Sequence, residues 1–129
     1  MIALEEIDIP EVLAEVTEAF RRYETALVTN DVATLDALFF ADARTVRYGA
    51  GECLYGRDEI LAFRKGRPSK GLERTLTRTS ITTYGRDFAV ASTEFAKVGE
   101  ARTGRQMQTW ARTPDGWRVV AAHVSFMEG

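Results

Sequence analysis

The sequence predicts a single α+β domain in which N-terminal helices pack on one face of a curved antiparallel sheet. Two observations support this fold class: apolar residues recur at helical spacing through the first half, and long extended runs joined by turn residues follow from residue 72 onward. Helices followed by a meander of strands is the pattern of α+β domains. The 129 residues are enough for one hydrophobic core and show no repeat or linker, so we expect one domain over 1–129.

The first predicted helix runs over 11–28. Pro10 precedes it at a position where a missing backbone N–H costs nothing. One face of this helix carries side chains at helical spacing, which are Val12, Val16, Phe20, Tyr23 and Leu27. We therefore expect this face, including the ring of Tyr23, to point into the core.

Two shorter helices and one strand complete the first half. The run Thr29-Asn30-Asp31 offers a break and a new N-cap, and the apolar spacing after it predicts a second helix over 32–39. Residues 44–48 have the pattern of a strand. A third helix is predicted to begin at 56–59, where acidic residues suit the helix dipole, and to end before Pro68.

The second half predicts four long strands. Turn residues at 85–87, 99–104 and 114–116 separate these strands, which cover 72–84, 88–98, 105–113 and 117–127. In the last strand, strict alternation would place Trp117, Val119 and Ala121 on one side and Val120 and Ala122 on the other, so neither face is polar. Helices cover only one face, so a second subunit is expected on the other, which predicts a homodimer or a higher homo-oligomer.

Charge and composition exclude several classes of protein. The net charge of -2 disfavours a nucleic-acid partner, and no apolar run is long enough to span a membrane. Cys53 is the only cysteine, and the first residues lack the pattern of a signal peptide, so a cytoplasmic location is expected. Of the 17 basic residues only three are lysines, which suits carboxylate binding but also fits a genome that favours arginine codons.

Two polar residues occupy positions that the fold should bury. Tyr23 shares the apolar face of the first helix, so its hydroxyl needs a partner, either a core carbonyl or a ligand. Arg47 lies mid-strand, where a guanidinium is costly unless it is paired. Its partner is expected to be either an internal acid such as Glu94 or the carboxylate of a substrate.

Other candidates depend on which face of each element lines a pocket. Arg64 and Arg67 extend the apolar face of the third helix. They either snorkel into solvent or form a basic rim around the mouth of the pocket. Gln106, Gln108 and Trp110 share one strand face and could bind an amide-like group, unless that face is exposed. His123 and Ser125 share a face of the next strand, where a lone histidine is either structural or a ligand to substrate. A single histidine argues against a histidine-based metal site.

The end of the chain resembles the nuclear-transport-factor-2-like, or SnoaL-like, superfamily. The resemblance rests on GRQMQTWAR at 104–112, DGWRVVAAHVS at 115–125 and LYGRDEI at 54–60. Four further runs resemble the AtzH-like family, namely FRRYE at 20–24, RTVRYGAGE at 44–52, GLERT at 71–75 and ITTYGRDF at 81–88. That family includes the oxalurate-catabolism protein HpxZ and the 1,3-dicarboxyurea decarboxylase of cyanuric acid breakdown.

The resemblance implies a cone-shaped α+β barrel with an internal pocket, oligomerised through its sheet. It also implies a carboxy-lyase without a cofactor, which removes CO₂ from an N-carboxylated urea to give allophanate. By position, Tyr23 and Arg47 would be the catalytic pair. Arg64, Gln108, Trp110 and His123 are the remaining candidates for binding the substrate.

Two other functions stay open at this point. The protein could be a non-catalytic accessory or ligand-binding subunit of a pathway amidohydrolase, because binding and catalysis require the same arginine. A cyclase or isomerase on the same fold is the third possibility, although such sites usually use an acid–base carboxylate or histidine in an apolar pocket.

Overall fold

Three α-helices form in the described part of the chain, close to where the apolar spacing predicts them. The computed structural model describes residues 1–128. After a 3₁₀ turn at Leu4–Glu6, the helices are α1 (Pro10–Val28), α2 (Val32–Leu38) and α3 (Arg57–Gly66). Pro10 stands at the start of α1. None of the described helices is both long and apolar enough to cross a membrane.

Six strands of the described residues form one sheet. They are β1 (Val46–Tyr48), β2 (Cys53–Tyr55), β3 (Thr75–Tyr84), β4 (Phe88–Ala96), β5 (Gly104–Thr113) and β6 (Gly116–Phe126), in the spatial order β2-β1-β6-β5-β4-β3. The short strand β2 was not predicted. β1 runs parallel to β6, so the sheet is mixed, not wholly antiparallel as the sequence suggested. β3 to β6 form the predicted antiparallel meander.

A bulge in β6 corrects the predicted assignment of its two faces. Thr109 pairs with Ala121, whereas the next residue, Trp110, pairs with Val119, so Val120 is an extra residue. Trp117, Val119 and Ala122 are therefore all buried on the helix side of the sheet. Beyond the bulge, the inner-face residues at the end of β6 lie at the wall of a cavity.

The core lies between α1 and the inner face of the sheet. Its largest buried side chain is Trp110, which is fully buried together with Val16 and Val119. Because α1 crosses this face along its apolar stripe, Tyr23 is carried into the interior near the end of the helix. The same packing leaves a cavity open at one end of the sheet.

Candidate active site

A cavity of about 170 Å³ lies between α1, α3, the loop that joins β1 to β2, and the ends of β4, β5 and β6. Among residues 1–128, its walls carry Arg47, Arg67, Arg74 and Lys97 but only one carboxylate, that of Glu52. Tyr23, Gln106 and apolar side chains complete the lining. The lining therefore carries an excess of positive charge, which is electrostatically favourable for a small anion.

Tyr23 presents its hydroxyl between this cavity and a buried arginine. The side chain is only 1% exposed, and its phenolic oxygen accepts a hydrogen bond from Nη2 of Arg64 at 3.3 Å. The guanidinium of Arg64 also lies 5.0 Å from the ring centroid of Phe39. Because the phenolic oxygen acts as an acceptor toward Arg64, its own O–H remains available to donate toward a ligand.

The surrounding arginines make this phenol more acidic than an isolated one. Burial raises the pKa of Tyr23, but the positive charges of Arg64, Arg47 and Arg74 and the hydrogen bond from Arg64 outweigh that effect. The pKa therefore lies below its ordinary value of 10.0. A phenol in this environment is a better proton donor at neutral pH than an unperturbed one.

Arg47 projects from β1 into the cavity and is 6% exposed. Its Nη1 donates to Oε1 of Glu52 at 2.8 Å, and its guanidinium lies 5.3 Å from the centroid of the Phe63 ring. Glu94, the internal acid considered as one of two possible partners for Arg47, is not its partner, because Glu94 is exposed on the outer side of β4. The sequence did not reveal Glu52 because the short hairpin that brings it back to Arg47 was not predicted.

Gly49 makes room for this ion pair. A Cβ at Gly49 would overlap the Glu52 carboxylate, so a side chain there is incompatible with the Arg47–Glu52 contact. Oε2 of Glu52 also accepts a hydrogen bond from the backbone N–H of Gly51 at 3.2 Å. The loop sequence Gly-Ala-Gly-Glu is thus suited to place one carboxylate beside Arg47.

Arg74 is held in place by a carboxylate, an amide and an aromatic ring of the protein. Its Nε and Nη2 donate to the two oxygens of Glu24 at 2.9 and 2.7 Å, and Nη2 also donates to Oε1 of Gln106 at 3.0 Å. The guanidinium packs 4.4 Å from the centroid of the Phe95 ring. Gly104 lies opposite Phe95 in the sheet, and a Cβ there would overlap the ring. Arg74 therefore builds the wall and contributes charge.

Arg67 differs from the other two arginines of the wall. It follows the end of α3, and its guanidinium lies 5.9 Å from the centroid of Phe63. Its Nε and Nη2 are buried without a hydrogen-bond partner among residues 1–128. Burial lowers the pKa of Arg67 to about 10, and the like charges of Arg64 and Arg47 act in the same direction. The side chain still carries its charge at neutral pH.

Four predicted binding residues lie outside the cavity wall. Arg64 is neither a rim residue nor a snorkelling one, because it is 1% exposed and lies behind Tyr23. Gln108 accepts a hydrogen bond from Nε1 of Trp110 at 3.1 Å, and both are buried in the core. His123 is on the opposite, outer face of the sheet, where its ring packs edge-on against Tyr48.

Gln106 is the glutamine of that strand that reaches the cavity. It shares the inner face of β5 with Gln108, so alternation alone could not decide which of the two would line a pocket. The curvature of the sheet and the position of α1 make that choice. Arg74 lies within the run 71–75 that carries the family resemblance, but its pairing with Glu24 depends on a contact 50 residues away along the chain.

Helices packed on a mixed curved sheet around a cationic cavity define a cystatin-like, nuclear-transport-factor-2-like protein. Solved structures with this fold agree with the assignment. A protein of unknown function from Pectobacterium atrosepticum is 60% identical, with 99% of this chain and 100% of that one covered and a TM-score of 0.98. A cystatin-like fold protein from Burkholderia xenovorans is 47% identical, with 96% and 98% covered and a TM-score of 0.92.

A more distant relative is a nuclear-transport-factor-2-like superfamily protein from Salmonella enterica serovar Typhimurium, which is 27% identical. The similarity covers 92% of this chain and 93% of that one, with a TM-score of 0.74. A family model described as AtzH-like matches residues 5–129. The chain therefore belongs to the AtzH-like family. None of the curated proteins matches it.

Proposed function

We propose that this protein is a cofactor-free decarboxylase of a small N-carboxylated urea, with 1,3-dicarboxyurea as substrate and allophanate as product. The observation that carries the proposal is the placement of an acidified phenol, Tyr23, and a buried guanidinium, Arg47, in one small cationic cavity. Membership of the AtzH-like family supports the same reaction class. The substrate would belong to nitrogen catabolism of the cyanuric acid or oxalurate type.

The size of the cavity favours a small substrate. Pockets for drug-sized ligands enclose roughly 300–1,000 Å³. The cavity of this protein is about 170 Å³. A compact dianion fits such a volume better than the polycyclic substrates expected for a cyclase or steroid isomerase on the same fold.

In the proposed step, the bond between the urea nitrogen and the carboxylate carbon breaks. Its electron pair stays on nitrogen and delocalises onto the urea carbonyl oxygen, while the carboxylate leaves as CO₂. Tyr23 donates its proton to that nitrogen and becomes a phenolate, which Arg64 stabilises through the existing contact. Proton transfer from water then restores the phenol, so one proton is consumed for each CO₂ released.

Arg47 stabilises the negative charge that develops on the urea oxygen. Glu52 occupies Nη1, so other N–H groups of Arg47 remain for the substrate. A preorganised donor aimed at developing charge contributes roughly 3–4 kcal/mol to lowering a barrier. An N-carboxylate loses CO₂ readily on its own, so one guanidinium and one proton donor are sufficient machinery for a useful acceleration.

The test compares turnover by three proteins on freshly prepared 1,3-dicarboxyurea. Allophanate formation is followed by ¹³C NMR for the wild type, Arg47→Ala and Tyr23→Phe, with the spontaneous rate subtracted. We expect a fall of about 10²–10³-fold for Arg47→Ala and 10²–10⁴-fold for Tyr23→Phe. Arg21→Ala serves as the matched control, because the Arg21 side chain is 73% exposed on α1.

Unchanged rates in both variants, with circular dichroism showing an intact fold, would refute the proposal. Absence of turnover by the wild-type protein, together with its co-purification with an amidohydrolase, would instead support an accessory role.

A further inference from the structure

The cavity arginines differ in how much of their hydrogen-bonding capacity the protein itself uses. Glu52 pairs with Arg47 at 2.8 Å, and Glu24 pairs with Arg74 at 2.7 Å. Arg67 lines the same cavity, and within the described part of the chain it has no carboxylate within ion-pair distance. The cavity therefore contains one guanidinium whose counter-ion the fold does not supply.

The free donors of Arg67 are those that best bind a carboxylate. Nε and Nη2 form the side edge of a guanidinium, and two parallel hydrogen bonds from that edge match the two oxygens of a carboxylate. The same edge of Arg74 holds Glu24, and the same edge of Arg44 holds Asp42 with both distances at 2.8 Å. In Arg67 both edge atoms are buried and lack an acceptor anywhere in residues 1–128.

Leaving this edge empty is energetically unfavourable. Arg67 as a whole is half-buried, and its two buried N–H groups without acceptors are costly to leave unpaired. The lowered pKa of Arg67 has the same origin, since burial and the neighbouring cations disfavour its charged form. A bound anion would relieve all of these effects at once.

The position of Arg67 relative to Arg47 suits a small ligand. Both guanidinium groups lie against the ring of Phe63, at 5.3 and 5.9 Å from its centroid. A small molecule can therefore contact both arginines. This arrangement fits a compact dicarboxylate.

We propose that Arg67 binds, through its guanidinium, the carboxylate that the substrate retains, while the other carboxylate is lost beside Tyr23 and Arg47. This assignment rests on the proposed function and makes Arg67 the residue that selects dianions over monoanions. It also explains how the substrate is oriented, because the retained carboxylate stays fixed while the C–N bond breaks. The product would keep its contact with Arg67 until release.

The test uses stable ligands, so it does not depend on turnover. Glutarate has the same five-atom chain between carboxylate oxygens as 1,3-dicarboxyurea and cannot lose CO₂ in this way; butyrate is glutarate without one carboxylate. Isothermal titration at fixed ionic strength measures both ligands on the wild type, Arg67→Gln, Arg67→Lys and the control Arg21→Gln. Circular dichroism confirms the fold of each variant.

We expect the wild type and Arg21→Gln to bind glutarate at least tenfold more tightly than butyrate. Arg67→Gln should lose this preference, because the second carboxylate of glutarate then has no cationic partner of its own. Arg67→Lys should fall between the two, because an ammonium keeps the charge but lacks the two-atom edge.

The proposal is overturned if wild-type protein binds glutarate no better than butyrate, or if Arg67→Gln keeps the preference. An Arg67-dependent preference in a protein that does not decarboxylate 1,3-dicarboxyurea would refute the proposed reaction and leave the dianion site standing. Decarboxylation by a protein without that preference would refute the dianion site and leave the proposed reaction standing.

Discussion

Replacing Arg64 by methionine should weaken the proton donor without touching the cavity wall. Arg64 is buried behind Tyr23 and donates to its phenolic oxygen at 3.3 Å, so its effect on the reaction passes through that oxygen. A hydrogen bond to a charged group contributes about 1.5–3 kcal/mol. At about 1.4 kcal/mol for each factor of ten, loss of this contact predicts a 10- to 100-fold lower kcat.

The pH profile separates this role from a merely structural one. A proton donor works in its protonated form, so activity should fall as pH rises through the pKa of Tyr23. That pKa lies below 10.0 in the wild type, and removing the positive charge of Arg64 raises it. The alkaline limb of kcat should therefore move to higher pH in Arg64→Met, while Arg64→Lys should restore part of the wild-type profile.

Two controls complete this experiment. In the Tyr23→Phe background the Arg64→Met substitution should have little further effect on kcat, because the group through which it acts is absent. The alkaline limb should also disappear from the residual activity of Tyr23→Phe. If the limb does not move in Arg64→Met, or if the two substitutions multiply in their effect on kcat, the assigned role of Arg64 is wrong.

Three further predictions concern the loop, the sheet and the outer face. Glu52→Gln should tighten glutarate binding, measured by titration, because the competing carboxylate is removed; weaker binding would show that Glu52 mainly orients its partner. Gly104→Ala should lower the free energy of unfolding in urea by about 1–3 kcal/mol, because the added Cβ overlaps Phe95. Gly66→Ala, where the added Cβ meets open space, should not lower it, and equal effects of the two substitutions would contradict this reasoning. Met107→Glu, on the exposed outer face, should convert a dimer to a monomer in light scattering; a monomeric wild type would refute dimerisation.

The sequence was sufficient for the fold because the fold depends on local patterns. The apolar stripe of α1, the turns between β3 and β6 and the acidic start of α3 are all signals within a few residues. The short strand β2 was missed because three residues give no periodicity. The parallel pairing of β1 with β6 was missed because it joins segments about 75 residues apart.

The cavity was harder to predict because its chemistry depends on contacts between distant segments. Arg47 and Tyr23 could be selected because each places a polar group at a position that the pattern buries. Glu52 carries no such signal, because an acid in a glycine-rich loop is an ordinary surface feature. Arg67 was a candidate for the rim of the pocket, but its spacing could not distinguish a rim residue from a snorkelling one. Only the folded chain shows that Glu52 pairs with Arg47 at the edge of a cationic cavity. Only the folded chain shows, too, that Nε and Nη2 of Arg67 lack an acceptor within residues 1–128.

His123 shows the opposite error. A lone histidine near the end of the chain attracts attention, yet strand alternation together with the bulge at Val120 places it on the outer face. Its neighbours there are Tyr48 and Met107, which belong to the surface on which we propose that a second copy of the chain docks.

The central claim is that this protein alone accelerates the loss of CO₂ from an N-carboxylated urea. The most direct measurement is the rate of allophanate formation from freshly prepared 1,3-dicarboxyurea, with and without purified protein, under identical buffer conditions. Our account predicts a rate that rises in proportion to protein concentration and falls to near the spontaneous rate in Tyr23→Phe. A rate that is the same with and without protein would contradict it.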